Sequence, residues 1–331
     1  MKYASIIKEI GRGAKGAKPM DRDVARELFG HILDGEVPEL ELGATLLSLR
    51  VKGEDLNELI GFKAALDART HVVRVPNGPR CVVLPTYNGA RKQANLMPLV
   101  AILLARQGVP VLIQGRHDFD SRVSPFDLLT ALKLKPALSV ESAENQLASR
   151  GITCIGLPQL CNGLDRLLSL RLRLGVRNSG HTIAKLLDPC PGRSVRVVAV
   201  THPPYLDVME QFLEHDGATA LLMRGTEGEA YASPKRRPRL LGFTEGTPQV
   251  MFEQAHAESE APIEDACSID TNAAIIEAML HGKQPIPQPI ADQVERLGPL
   301  GTHLKWCKRT AGTSHPKRPS PSSARSRSKS C

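Results

Sequence analysis

Between the apolar run Cys81–Leu84 and the helix-like stretch Asn95 to Gln107 lies Pro85-Thr86-Tyr87-Asn88-Gly89-Ala90-Arg91-Lys92, with a single glycine. A loop that grips a phosphate through its backbone uses several glycines, so that bare N–H groups can close on the anion, and a following helix N-terminus adds a favourable dipole. Here a phenol ring and two fixed cations take that space. Ring and cation together suit stacking and contact with a nucleic-acid backbone better than grip on one diphosphate. Tyr87, Arg91 and Lys92 are therefore candidate nucleic-acid contacts.

Other cations are candidates by pattern. Pro234-Lys235-Arg236-Arg237-Pro238-Arg239 is purely basic, and its two prolines hold the cations extended and outward, either toward phosphates or as a solubilising loop. If the helix predicted over 161–174 continues to Arg177, then Arg166, Arg173 and Arg177 fall within roughly 40° of one another. Such a row grips phosphates or forms a plain solvated face. Arg171 points instead into the leucine face of Leu164, Leu167, Leu168 and Leu174, where it needs a carboxylate or a cleft. His202, in Thr201-His202-Pro203-Pro204-Tyr205, is placed for a general base after a strand or for a structural role, with no nucleophile paired to it. Glu54 and Glu58 read as an exposed helix start.

The elements that position these residues change period along the chain. Over the first 69 residues the pattern is helical: Val24, Ala25, Leu28, Phe29, Ile32 and Leu33 form a stripe capped by Asp21 and ended by Gly35. Leu42, Leu46 and Leu49 mark a second helix, and Leu56, Leu59, Ile60 and Ala64 a third. From Cys81 onward, β-rich runs at 81–84, 109–113, 152–155, 195–200 and 219–223 alternate with helical segments, as in a mainly parallel sheet covered by helices. Two helical segments, 161–174 and 179–187, are too much for one crossover and are expected to pack back on the N-terminal helices. The expected organisation is a helical domain over 1–74 with 158–188 returning to it, an α/β domain over 75–157 and 189–304, and a basic, disordered tail over 305–331.

Composition bounds the function. The chain has 331 residues, with 41% apolar but only 4% aromatic content, so an aliphatic core in two domains is expected. No run of about 18 apolar residues exists and Met1-Lys2-Tyr3 leads straight into a mixed pattern, which predicts a cytosolic protein without a membrane span. Seven cysteines, at 81, 154, 161, 190, 267, 307 and 331, make no CxxC pair and read as reduced thiols, with neither metal nor disulfide. The net charge of +8 is carried by eight cations from Lys305 onward, leaving residues 1–304 with 35 charges of each sign. Any nucleic-acid site in the body must be a local patch. The basic loop at 235–239 is one such patch, and Glu253, Glu258, Glu260, Glu264, Asp265 and Asp270 form an opposing acidic stretch.

Certain strings carry a family resemblance. Asp34-Gly35-Glu36-Val37-Pro38 with Leu49-Arg50-Val51-Lys52-Gly53-Glu54 resembles the helical domain of the anthranilate phosphoribosyltransferases, glycosyltransferase family 3, and the similarity runs to about residue 295. Tyr87 to Asn95, Gly175-Val176-Arg177-Asn178-Ser179 with His181-Thr182, and Gly225-Thr226-Glu227-Gly228-Glu229 resemble the YbiB-type, DNA-binding branch of that family. The resemblance implies a small helical domain on a larger α/β body of nucleoside phosphorylase/phosphoribosyltransferase type, a homodimer formed through the helical domain, and nucleic-acid binding in place of transferase chemistry. It makes Thr86, Asn88, Gly89, Gly115 and Glu229 remnants of a ligand site, and Arg177 the counterpart of a substrate-side arginine. The departures matter: side chains fill the glycine-rich loop, Ile113-Gln114-Gly115-Arg116-His117 lacks the leading cation while presenting Arg116, and Gly228-Glu229 keeps one carboxylate where magnesium on a polyanion uses two.

The sequence therefore reads as a DNA-binding protein of low sequence selectivity, with RNA as the alternative polyanion, without catalytic residues or cofactor. The alternatives are a related phosphoribosyltransferase of altered substrate, which would use Mg²⁺, and an inactive paralogue that binds a protein. Beyond Pro287–Glu295 an apolar C-terminal helix is expected, but Gly298-Pro299-Leu300-Gly301 interrupts the pattern. The tail beyond it reads as a basic arm or as the product of a shifted reading frame.

Overall fold

A computed structural model describes residues 2–13, 15–116, 122–256 and 268–302. His117, most of the acidic stretch and the basic tail lie outside them.

Four helices open the chain: α1 (Tyr3–Ile10), α2 (Arg22–Asp34), α3 (Glu39–Lys52) and α4 (Leu56–Asp67). Strands and helices then alternate through β1 (Cys81–Thr86), α5 (Met97–Arg106), β2 (Val111–Gly115), α6 (Pro125–Ala131), α7 (Val140–Arg150) and β3 (Ile152–Gly156). Short helices follow: α8 (Leu157–Leu160), α9 (Asn162–Ser169), α10 (Arg171–Leu174) and α11 (Ser179–Ile183), the last running into a 3₁₀ turn at Ala184–Leu186. The remainder comprises β4 (Ser194–Val200), α12 (Pro204–His215), β5 (Ala220–Arg224), β6 (Arg236–Arg237), β7 (Leu240–Thr244), β8 (Thr247–Phe252), β9 (Ala255–His256), α13 (Ile269–Leu280) and α14 (Gln288–Thr302).

The main sheet has the order β3-β2-β1-β4-β5-β7-β8, with the first five strands parallel and the last two antiparallel. All five β-rich runs of the sequence are strands of it. Each strand feeds one core on either face, because alternate side chains point oppositely. Val82, Leu84, Val111 and Ile113 pack with α5, α13 and α14, whereas Cys81, Val83, Leu112 and Ile155 join the core of the N-terminal helices. The N-terminal helices and the returning segment share that second core: α9 lies against α2, and α11 against α3 and α4.

Two local readings are corrected. The helix expected over 161–174 breaks: α9 ends at Ser169, and α10 stops at Gly175 in the left-handed conformation (φ 71°). The C-terminal helix, by contrast, continues through Gly298 and Pro299 to Thr302, with Leu297 and Leu300 buried and the Gly301 carbonyl accepting from Arg80 N at 2.6 Å. Burial of those leucines outweighs one missing N–H donor in the last turn. No helix among the described residues is long and apolar enough to cross a membrane.

Candidate functional site

The C-terminal ends of β1 and β2 and the turn after β5 converge. Gly115 has φ 156°, and a Cβ there would lie 1.7 Å from the Thr86 carbonyl, so only glycine permits these strand ends to meet. The loop leaving β1 then faces two carboxylates. Glu229, fully buried, accepts from Thr86 Oγ1 at 2.6 Å, Gly89 N at 3.0 Å and Asn88 N at 3.1 Å. Glu227 accepts from Lys92 N at 3.0 Å and Arg91 N at 3.3 Å. Burial raises the Glu229 pKa, while the Thr86, Gly89 and Asn88 donors oppose the rise. The anion facing the loop backbone is the chain's own.

Asn88 links this loop to the helical side of the cleft: its side-chain amide donates to the Glu227 carbonyl, and its oxygen accepts from Arg177 Nη2. Desolvation, with Arg171, Arg122 and Arg50 nearby, lowers the Arg177 pKa to about 10. Lys185 donates to the Ala199 carbonyl at 2.5 Å and is pushed to about 8 by burial and Arg177. His181 is buried, its pKa lowered to about 3 by desolvation and by Arg177 and Arg171, and its Nε2 has no hydrogen-bond partner among the described residues. Glu54 reaches the same interdomain zone, where burial raises its pKa, and neither its Oε2 nor the Ser179 hydroxyl has a hydrogen-bond partner among the described residues.

Several sequence expectations require correction. Tyr87 offers no ring to a base: it is only 7% exposed, and its hydroxyl donates to Gln114 and to the Ala184 carbonyl. The strand end draws the ring inward, where a partner exists for the hydroxyl. Arg166, Arg173 and Arg177 do not form one row, because the α9–α10 break separates them. Arg166 donates to the Leu33 carbonyl at 2.9 Å, Arg173 pairs with Glu39 at 3.2 Å, and Arg177 holds Asn88. Arg116 pairs with Asp165 at 2.7 Å, and Arg237 with buried Asp292 while lying 3.8 Å over the Phe252 ring. Nor is Glu58 exposed: it closes the N-terminus of α4 as a capping box with Asp55 and binds Lys52 at 2.6 Å.

Arg91, Lys92, Arg166, Arg173, Lys235, Arg236 and Arg239 remain exposed, although Arg166 and Arg173 hold the partners just named and Arg239 lies 3.9 Å from Glu210. His202 is also exposed, just after β4. Sequence reasoning missed Glu227, His181, Lys185 and the burial of Glu54. Glu227 acts across 135 or 136 residues of chain, a pairing no local pattern encodes.

Magnesium, which the transferase reading requires, does not fit the acidic position. Every described hydrogen-bond partner of the Glu227 and Glu229 carboxylates is a donor, and backbone N–H dipoles aimed at a carboxylate oppose a cation there.

Residues 4–70 match the model of the glycosyl transferase family, helical bundle domain. The chain is 40% identical over 296 residues to YbiB of Escherichia coli K12, covering 89% of this chain and 92% of that protein. It is 31% identical over 217 residues to the anthranilate phosphoribosyltransferase of Methylorubrum extorquens PA1, covering 65% and 63% respectively. The fold matches anthranilate phosphoribosyltransferase from Thermus thermophilus with a TM-score of 0.72 at 24% identity, over 90% of this chain and 88% of that one. The Saccharomyces cerevisiae enzyme, solved with phosphoribosyl pyrophosphate and magnesium, aligns with a TM-score of 0.68 at 16% identity, over 88% and 85%.

Proposed function

The chain belongs to the family of YbiB and the anthranilate phosphoribosyltransferases, and from that premise we propose that it binds nucleic acid with low sequence selectivity rather than transferring a phosphoribosyl group. One observation carries the reading: the β1 loop turns its backbone donors inward onto Glu227 and Glu229 and leaves Arg91 and Lys92 exposed. Anion recognition therefore passes from a backbone cradle to side-chain cations on the surface. Tyr231 O–H to the Ala94 carbonyl at 2.9 Å fastens this loop to the turn that leads to Lys235 and Arg236. Side-chain cations at these positions neutralise phosphates and release counterions without reading bases. DNA is the expected ligand, with RNA the alternative polyanion.

The experiment is a salt titration on a duplex and a single strand of DNA. With about 4–8 phosphates contacted, a fourfold rise in salt weakens duplex binding more than about 30-fold, with little dependence on sequence. Binding unchanged over that range would exclude the mechanism.

The functional unit is proposed to be a homodimer. Leu40, Leu47 and Val51 lie at i, i+7 and i+11 on α3, exposed by 82%, 45% and 61%, an apolar stripe that a second copy would cover. Leu47→Glu with Val51→Glu should shift sedimentation to the monomer; an unchanged dimer would place the contact elsewhere.

A phosphoribosyltransferase of altered substrate is the second reading, favoured by Arg177 standing over Asn88 at the cleft. Calorimetry with phosphoribosyl pyrophosphate and magnesium separates the two, since a micromolar isotherm with pyrophosphate release returns the protein to the transferases.

A further inference from the structure

The candidate site lies at the C-terminal ends of the parallel strands. A separate cavity, of about 400 Å³, opens at their N-terminal ends, where Arg80 precedes β1, Ser194 begins β4 and Thr219 precedes β5. The helical domain supplies its opposite wall through Lys63 and Asp67 of α4. Its size is that of a small-molecule pocket.

The lining carries charge of both signs. Three cations, Lys63, Arg80 and Arg196, stand against four carboxylates, Asp67, Asp188, Asp216 and Glu245. The surplus is one negative charge. Where these groups pair, the cation lies deeper: the Lys63 side chain is 7% exposed and Asp67 46%, Arg196 5% and Asp216 26%. An entering molecule therefore meets carboxylate oxygens first. Two helices add to this potential, because α4 ends here at Asp67 and α12 is capped here by Asp216, and a helix C-terminus favours positive charge. Burial raises the Asp67 pKa; Lys63 and Arg196 oppose the rise and Asp216 adds to it, so the two aspartates feel one another.

Groups of both kinds lack partners around the cavity. Asp216 hydrogen-bonds Arg196 through Oδ2, and Glu245, in the β7–β8 turn, makes no hydrogen bond or ion pair among the described residues. The Gly246 amide donates to the Ala218 carbonyl at 2.9 Å and so sets that turn on the cavity rim. Arg196 is buried, yet its Nε–H has no hydrogen-bond partner, and Asp188 Oδ2 stands 4.0 Å from it. A buried donor of this kind calls for an acceptor that the chain does not supply. Unmet carboxylates and an unmet donor on one cavity ask for a ligand with both charges.

We propose that this cavity binds a basic amino acid, whose α-carboxylate accepts from Arg196 and whose α-ammonium and side-chain cation lie on Asp67, Asp216 and Glu245. The net positive charge of such a ligand matches the one surplus carboxylate of the lining. Val72, Pro191 and Ala218 supply apolar contact for its aliphatic stem. Because the walls come from both domains, the ligand joins them at the end of the sheet opposite the candidate site. The inference is independent of nucleic-acid binding and of any transferase activity.

The test is calorimetry on the full chain with L-lysine and L-arginine. Saturable binding of at least one of them is expected below about 1 mM. Cadaverine, which is lysine without its carboxylate, and 6-aminohexanoate, which lacks the α-ammonium, are each expected to bind at least about tenfold more weakly, since each forfeits a charge-assisted hydrogen bond. Asp216→Asn maps the site and is expected to weaken the amino acid about tenfold or more. Should that variant not fold, Glu245→Gln, at an exposed and unpaired position, decides by the same loss. Absence of saturable heat with both amino acids at about 10 mM overturns the proposal. So does cadaverine or 6-aminohexanoate binding as well as lysine, or a folded variant that keeps the wild-type affinity.

Discussion

Tyr87 donates its hydroxyl to the side-chain oxygen of Gln114, across the ends of the neighbouring strands β1 and β2. The ring that the loop offers in sequence is thereby committed to the interior. Burial raises the Tyr87 pKa well above its ordinary value, so the phenol stays protonated and keeps donating. Tyr87→Phe should cost about 1 kcal/mol of stability, the net worth of the lost hydrogen bonding, and Tyr87→Ala about 3–5 kcal/mol from the cavity. Denaturant melts measure both. Affinity for single-stranded DNA should stay within about twofold in the Phe variant, because no base stacks on the ring; a loss of tenfold or more would place the ring back at the surface.

The cations divide by exposure, which separates their effects. Substituting Arg91, Lys92, Lys235 and Arg236 together by alanine should leave the melting temperature almost unchanged. If each cation meets one phosphate, the slope of log affinity against log salt should become less steep by up to about 3.6, at about 0.9 per phosphate. Arg237→Ala should do the reverse. It strands the nearly buried Asp292 without its guanidinium and strips the Phe252 ring of its cover, costing about 3 kcal/mol or more with the salt slope retained. Parallel anisotropy titrations and melts distinguish the classes. If the fourfold variant binds DNA with the wild-type slope, the surface cations are not the contacts.

Much of the architecture was legible because its signals are local. The stripe ending at Gly35 gives α2, with Gly35 in the left-handed conformation at φ 80°, and the apolar runs from Cys81 to Met223 give the five parallel strands. The site was legible only where chemistry follows from one segment, as in the exposed pair Arg91 and Lys92. Helical phase misled at Arg166, Arg173 and Arg177, because extrapolating it assumes one unbroken helix, whereas α9 ends before Leu170 and the left-handed Gly175 stops α10 ahead of Arg177. Composition could not reveal that Glu229 faces Thr86 across 143 residues. Carboxylates two residues apart in a glycine turn were visible, but their donors lie in another strand's loop.

His181 provides a pH signature for the interdomain zone. Its ring is buried with Arg177 and Arg171 close by, so the folded chain binds its proton only near pH 3, against an ordinary value of 6.5. The unfolded chain therefore takes up the proton first. The stability due to the neutral ring is fully present above about pH 6.5 and is lost as the pH falls toward 3. By pH 5 the loss amounts to about 2 kcal/mol. His181→Gln carries no titrating group, so the wild type should lose stability relative to this variant by about that amount between pH 7 and pH 5. Melting curves of the two proteins, compared at each pH, give the difference directly, free of the carboxylates they share. A difference that stays constant over that range would mean the imidazole protonates in the folded state. The cluster of Arg171, Arg177 and Lys185 would then not set the charge of the cleft.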